Sequence, residues 1–139
     1  MLVLFAPDCR ELRDAHARFS PNGDIGYENT KVAVLECAGQ RSLVFWRRTN
    51  ADAAWNEVHR VQVTAPIANQ TWFFDGATCV VKGTTGDALL MNHAVLAHAK
   101  AAIGELPEWK PSESWHVDLT KNKWVKDDVK KMVCHGDEP

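Results

Sequence analysis

The sequence lacks a long apolar run. Its longest stretches without Asp, Glu, Lys or Arg are 61–74 and 88–99, which are shorter than the roughly 18 apolar residues of a transmembrane helix. Segment 1–6 is apolar, but no basic residue precedes it and Pro7 and Asp8 follow at once, so we interpret it as a strand and not as a signal peptide. These features predict no membrane segment and a cytoplasmic location.

Neither sign of charge dominates the sequence. It contains 18 acidic and 16 basic side chains, for a formal net charge of -2, which excludes a highly charged disordered chain and a strongly basic packaging protein. Internal repeats and low-complexity segments are also absent. With 139 residues, of which 45% are hydrophobic, the composition is that of a globular protein, and we predict one domain over 1–139.

The four cysteines form no C-x-x-C pair. They lie far apart, at Cys9, Cys37, Cys79 and Cys134, and this spacing together with the predicted location favours reduced, structural thiols, with Cys79 buried. The sequence also has no P-loop, no dinucleotide-binding glycine motif and no G-x-S-x-G motif. The leading interpretation therefore includes no cofactor, no metal and no assigned catalytic residue.

Two segments have the pattern of β-hairpins. Residues 31–48 contain two runs of branched and aromatic residues around Gly39 and Gln40, and residues 71–82 contain two such runs around Asp75 and Gly76. We predict that both hairpins join one antiparallel sheet. A short strand is also predicted at 115–119.

Helical spacing of apolar residues predicts two longer helices. They cover about 86–104, which ends near Gly104, and about 121–134, where Val125, Val129 and Met132 recur. Shorter helices are predicted at 8–19 and 51–58. Hairpins combined with packed helices give an expected α+β fold.

Tryptophan is abundant, with six residues in the chain. Trp109, Trp115 and Trp124 lie beside polar residues in the C-terminal third, where their indole rings are either buried or part of a surface that binds a partner. We therefore interpret the chain first as a small non-enzymatic binding module, of the accessory, adaptor or inhibitor type, whose partner is a protein. Its oligomeric state is left open.

Nucleic-acid binding is the first alternative. Trp46, Arg47 and Arg48 lie together on a predicted strand, with Arg41 across the hairpin, and basic residues next to aromatic rings suit a nucleic-acid backbone and its bases. A second basic group surrounds Trp124 and consists of Lys121, Lys123, Lys126, Lys130 and Lys131.

A small hydrolase or metal-dependent enzyme is the second alternative. His116 and Asp118 are two residues apart and would share one face of a strand, which suits a metal pair or an oriented general base, and His59 is a further candidate. His93 and His98 lie in the predicted helix at a spacing of five residues, which directs them about 140° apart. This spacing predicts that they do not share a metal ion.

Overall fold

The computed structural model describes residues 9–16, 29–75, 79–81, 93–118 and 120–135. These residues form mostly β-structure. The one α-helix among them, α1, is Ala99–Ala102, and a 3-10 helix covers Val129–Lys131. The strands are β1 Cys9–His16, β2 Thr30–Cys37, β3 Gln40–Arg47, β4 Asn56–Val63, β5 Gln70–Asp75, β6 Cys79–Val81, β7 His93–His98, β8 Glu108–Trp109, β9 Glu113–Asp118, β10 Lys123–Lys126 and β11 Met132–His135.

The described strands form three antiparallel sheets. The first has the order β1-β2-β3-β4, the second β10-β9-β7-β5, and the third β6-β11-β8. The first two sheets pack against each other over a shared apolar core. This core contains Val32, Val34, Leu43, Phe45 and Val63 of the first sheet and Trp72, Ala94, Leu96, Val117 and Trp124 of the second.

The hairpin predicted at 31–48 is confirmed as strands β2 and β3, which pair along their whole length. Val32 and Val34 face the core between the sheets, whereas Ala33 and Leu35 belong to a separate buried cluster on the opposite face. Because both faces of β2 are buried, its apolar run is continuous and does not alternate. The turn lies at Ala38 and Gly39, both of which have positive φ.

The third sheet packs on the other face of the second sheet. Phe73 and Val95 of the second sheet contact Cys79, Trp109 and Met132 in this second core. Disulfide bonds join Cys9 to Cys37 and Cys79 to Cys134, and no cysteine is free. The prediction of reduced thiols is therefore wrong, while the predicted burial of Cys79 is confirmed.

The predicted α+β fold with packed helices is wrong. Within the predicted helix 86–104, residues 93–98 form strand β7, only 99–102 are helical, and 86–92 lie outside the described residues. Residues 93–97 are all buried because β7 is a central strand with a core on each face. A continuous apolar run of this kind matches the spacing of a helix as well as that of a buried strand.

The predicted helix 121–134 is also replaced by strands. Asn122 has a φ of 53°, which ends any helix at the turn before β10, and the chain then continues through the 3-10 helix into β11. In β10 the side chain of Trp124 is buried between the first two sheets. Pairing with β9 supplies the backbone hydrogen bonds of β10, and burial of the indole ring favours this arrangement over a surface helix.

Of three further predictions, those of the hairpin at 71–82 and of the short helices are wrong, and that of the strand at 115–119 is confirmed. The hairpin at 71–82 is wrong, because β5 pairs with β7 and β6 pairs with β11. Strands and turns replace the short helices, since 9–16 form β1 and 51–53 form a turn before β4, while 8 and 17–19 lie outside the described residues. The strand at 115–119 is confirmed as β9 up to Asp118.

The predicted strand at 1–6 also lies outside the described residues. No helix in the described part of the chain could cross a bilayer.

Candidate metal centre

Two histidines meet on the second sheet. His93 is the first residue of β7 and is directly paired with His116 of β9, so their side chains share one face. Their ring centroids are 5.9 Å apart and the rings meet edge to face. Ser114 precedes His116 by two residues on β9 and therefore lies on the same face.

Asp127 joins these residues from the segment after β10. Its backbone N–H donates a hydrogen bond of 2.8 Å to the carbonyl oxygen of Ser114, which continues the pairing of β10 with β9 by one residue. Asp127 Oδ2 lies 2.8 Å from Nδ1 of His93, and Oδ1 lies 2.7 Å from Nδ1 of His116. The hydroxyl of Ser114 donates to Oδ2 at 2.6 Å.

The carboxylate of Asp127 is buried together with its partners. Only 4% of its side chain is exposed, compared with 2% for His93 and 22% for His116. Burial by itself would raise the pKa of Asp127, but hydrogen bonds from His116, His93 and Ser114, with the charge on His93, hold this pKa well below its usual value. Asp127 is therefore an ionised carboxylate within the fold.

The three side chains offer the donor set of a transition-metal site. One ligand atom from each of His93, His116 and Asp127 lies within 4.8 Å of those of the other two. Two imidazole nitrogens and one carboxylate oxygen suit Zn²⁺ and related divalent ions, whose bonds to such atoms are about 2 Å long. The contacts of 2.7 and 2.8 Å are made to different oxygens of Asp127, so ligation of one ion through a single carboxylate oxygen needs a shift of the side chains.

Nε2 of His93 is buried and makes no hydrogen bond within the described part of the chain. An unpaired polar atom in this position costs about 1 to 3 kcal/mol. His93 is therefore not explained by packing alone, because an apolar side chain of similar size would avoid this cost. The polar contact that His93 does make joins its Nδ1 to Oδ2 of Asp127.

The site predicted from sequence at His116 and Asp118 is only half present. His116 is in the cluster, but the carboxylate of Asp118 accepts hydrogen bonds from the backbone N–H groups of Thr120 and Lys121 and organises the turn after β9. A hydrogen bond from the Thr120 hydroxyl has the largest effect on the pKa of Asp118. Together with the two backbone hydrogen bonds, it lowers this pKa. His59 lies elsewhere, where its Nδ1 accepts from the backbone N–H of Trp124.

The tryptophans predicted to bind a partner do not form one exposed surface. Trp109 packs against Phe73 in the second core, and Trp124 is buried between the first two sheets. Trp115 is half-buried, and its Nε1 donates to Glu113. The aromatic surface that these residues were predicted to offer is therefore reduced to part of Trp115.

The basic group at Trp46, Arg47 and Arg48 is divided between the interior and the surface. Trp46 is buried, so its ring does not offer a face on which a nucleic-acid base could stack. Arg41 pairs with Glu36, whereas Arg47 and Arg48 line a cavity. The five C-terminal lysines are exposed.

Sequence reasoning missed His93 and Asp127 as members of this site. His93 lies in a segment for which the apolar spacing predicts a helix, and no sequence motif marks Asp127. Ser114 directly precedes the predicted strand 115–119 that contains His116, but the partner carboxylate comes from the segment that follows β10. Only the strand pairing brings these residues together.

Comparison with protein-family models, curated proteins and solved structures found no match. The interpretation of the site therefore depends on the residues and geometry of this chain.

Proposed function

We propose that this protein binds one divalent transition-metal ion through His93, His116 and Asp127. The observation that carries the proposal is the buried carboxylate of Asp127, which contacts one imidazole nitrogen through each of its two oxygens. Buried carboxylates are costly unless they are paired with cations or coordinate a metal ion. Hydrogen bonds from the two imidazoles and from Ser114 supply this compensation in the present structure, and a bound ion would take the place of the imidazole protons in that role.

Three protein ligands leave room for a further ligand. Structural zinc sites commonly use four protein ligands, whereas sites that act on a substrate use three and keep a position for water. His116 is the most exposed of the three side chains and marks the side from which water or substrate would enter. We therefore favour a metal-dependent reaction, such as hydrolysis by metal-bound water, over a purely structural ion.

The hydroxyl of Ser114 supports the proposal from outside the ligand set. It donates to Oδ2 of Asp127, the oxygen that also contacts His93. Hydrogen bonds of this kind fix the orientation of a ligating carboxylate and tune its affinity for the ion. Ser114 itself is fully buried, which holds this hydrogen bond in place.

The decisive experiment is calorimetric titration of Zn²⁺ into protein that has been stripped of metal and dialysed. We expect one high-affinity site and a rise in melting temperature on saturation, because a ligand that binds only the native state stabilises it. The variants His93→Gln, His116→Gln and Asp127→Asn should each weaken binding at least tenfold.

The matched control is His135→Gln. This histidine is exposed and lies outside the cluster, so its replacement should leave the affinity unchanged. The proposal is wrong if wild-type protein shows no site, or if His135→Gln weakens binding as much as His116→Gln does. Circular dichroism of each variant separates loss of a ligand from loss of the fold.

Binding of a protein partner stays a prediction, with the exposed part of Trp115 as its remaining support among the three tryptophans. Nucleic-acid binding also stays a prediction. The predicted cytoplasmic location is opposed by the pairing of all four cysteines, because disulfides persist mainly in oxidising compartments. We infer that the protein acts in such a compartment. The test is to alkylate protein from its native source and measure its mass, because paired cysteines do not react with the alkylating agent.

A further inference from the structure

Strand β10 places one polar residue on each side of His116. Val125 is directly opposite His116 in the pairing of β10 with β9, and Lys123 is opposite Asp118. Asp127 continues this pairing beyond the end of β10. Because side chains alternate along a strand, Lys123 and Asp127 share the face of the sheet that carries His116. They are the two diagonal neighbours of His116 on this face.

A diagonal neighbour in an antiparallel sheet is within reach of a long side chain. The structure already contains one such contact, since Oδ1 of Asp127 lies 2.7 Å from Nδ1 of His116. Lys123 starts from the opposite diagonal, and its side chain is longer than that of Asp127. It can therefore extend over the exposed side of the His116 ring.

Lys123 lies at the outer rim of the metal centre. Exposure rises along this face, because Ser114 is fully buried, His116 is partly exposed and Lys123 is exposed. His116 also marks the side from which a substrate would enter. A substrate that approaches the ion from this side therefore passes the ammonium group of Lys123.

Within the described part of the chain, the side chain of Lys123 makes no hydrogen bond or ion pair. Asp118 is opposite it, but Oδ1 of Asp118 accepts from the backbone N–H groups of Thr120 and Lys121. The positive charge of Lys121 also acts on this carboxylate. The charge of Lys123 is therefore available to a ligand.

We propose that Lys123 selects anionic substrates at the metal centre, by binding a negatively charged oxygen of the group that the ion also contacts. This inference rests on the function proposed above. A divalent ion held by two neutral imidazoles and one carboxylate keeps a net positive charge, and Lys123 adds a second one. A phosphate or a carboxylate group can place one oxygen on each, whereas a neutral ester gains no charged hydrogen bond from the lysine.

The test is calorimetric titration of three probes into protein loaded with Zn²⁺, at low salt and about pH 8, where imidazole is neutral. Phenylphosphonate and benzoate carry the two kinds of oxyanion, and imidazole binds the ion without a charge. In Lys123→Gln, we expect the affinity for at least one anion to fall about fivefold or more, because a charged hydrogen bond is lost. The affinities for Zn²⁺ and imidazole should change less than about twofold.

Lys126→Gln is the matched control. Lys126 is on the same strand but on the opposite face, where it is paired with Trp115 and its Nζ lies 5.8 Å from the centroid of the Trp115 ring. This variant should change the affinity for either anion less than about twofold. Lys123→Arg keeps the positive charge and should keep most of the affinity for the anion.

The results separate this inference from the proposed function. If wild-type protein binds no Zn²⁺, both are wrong. If Zn²⁺ and imidazole bind but neither anion does, the inference alone is wrong. It is also wrong if Lys123→Gln weakens neither anion, or if Lys126→Gln weakens the anions as much as Lys123→Gln does. Circular dichroism and an unchanged affinity for Zn²⁺ establish that each variant is folded.

Discussion

His93 and His116 are paired across strands β7 and β9 and contact opposite oxygens of one carboxylate, that of Asp127. The antiparallel register sets the distance between the two rings, and the segment after β10 supplies the carboxylate. A site built in this way is held by three neighbouring strands of one sheet. Its geometry therefore depends on the pairing of β7, β9 and β10.

Zinc affinity should fall as the pH is lowered from 7.5 to 5.5. An imidazole nitrogen must be unprotonated to ligate a metal ion, so protons compete with the ion at His93 and His116. Asp127 does not add to this competition, because its pKa is held well below the usual value. Calorimetry at both pH values should show at least about a tenfold loss, and an unchanged affinity would contradict ligation by these histidines.

Asp127→Asn should destabilise the metal-free protein by about 2 kcal/mol or more at pH 7, because a charge with buried partners is removed. The pKa of Asp127 is lower in the folded than in the unfolded state. Its stabilising contribution is therefore present above the unfolded pKa of about 3.9 and is lost as the pH falls below it.

Urea unfolding of wild type and Asp127→Asn at a series of pH values checks this relationship. The difference in the free energy of unfolding should shrink between about pH 5 and pH 2. A difference that stays constant over this range would mean that the carboxylate's charge does not stabilise the fold. Ser114→Ala provides a comparison in which one hydrogen bond to Asp127 is removed and its charge is kept.

Ala38→Asn should stabilise the protein by about 0.5 to 1 kcal/mol. Ala38 has a φ of 51° in the turn between β2 and β3, a conformation that is costly for alanine and that asparagine tolerates better. Asparagine followed by glycine is also the preferred pair for a two-residue turn of this kind. Thermal unfolding measures the effect.

The control for this turn is Ala65→Asn. Ala65 is exposed and is not among the described residues that have positive φ, so the same substitution there should have little effect. Equal changes at positions 38 and 65 would show that relief of backbone strain is not the cause.

The local sequence pattern was sufficient to predict one hairpin and one strand correctly. The apolar runs of β2 and β3 and the glycine between them predicted that hairpin, because its contacts are short-range and its turn has a distinctive residue. The segment of β9 was also predicted, from the alternation around His116. In both cases the residues that decide the structure lie close together in the sequence.

Prediction from the sequence pattern failed for strands that are buried on both faces, because their apolar residues do not alternate with polar ones. The run from His93 to His98 is a central strand between two cores, and its alanines and leucine fit a helix equally well by spacing alone. The helix predicted at 121–134 is wrong for a related reason, because burial of Trp124 between two sheets decides the conformation of this segment.

From the sequence by itself, one can predict a globular protein and the hairpin of β2 and β3. The sequence also shows that histidines and carboxylates are present. Only the tertiary structure decided which of these side chains meet. His93, His116 and Asp127 come from three strands or their ends, and the cysteines pair across strands that are distant in sequence. Such pairings depend on long-range contacts between strands, for which the local sequence carries little information.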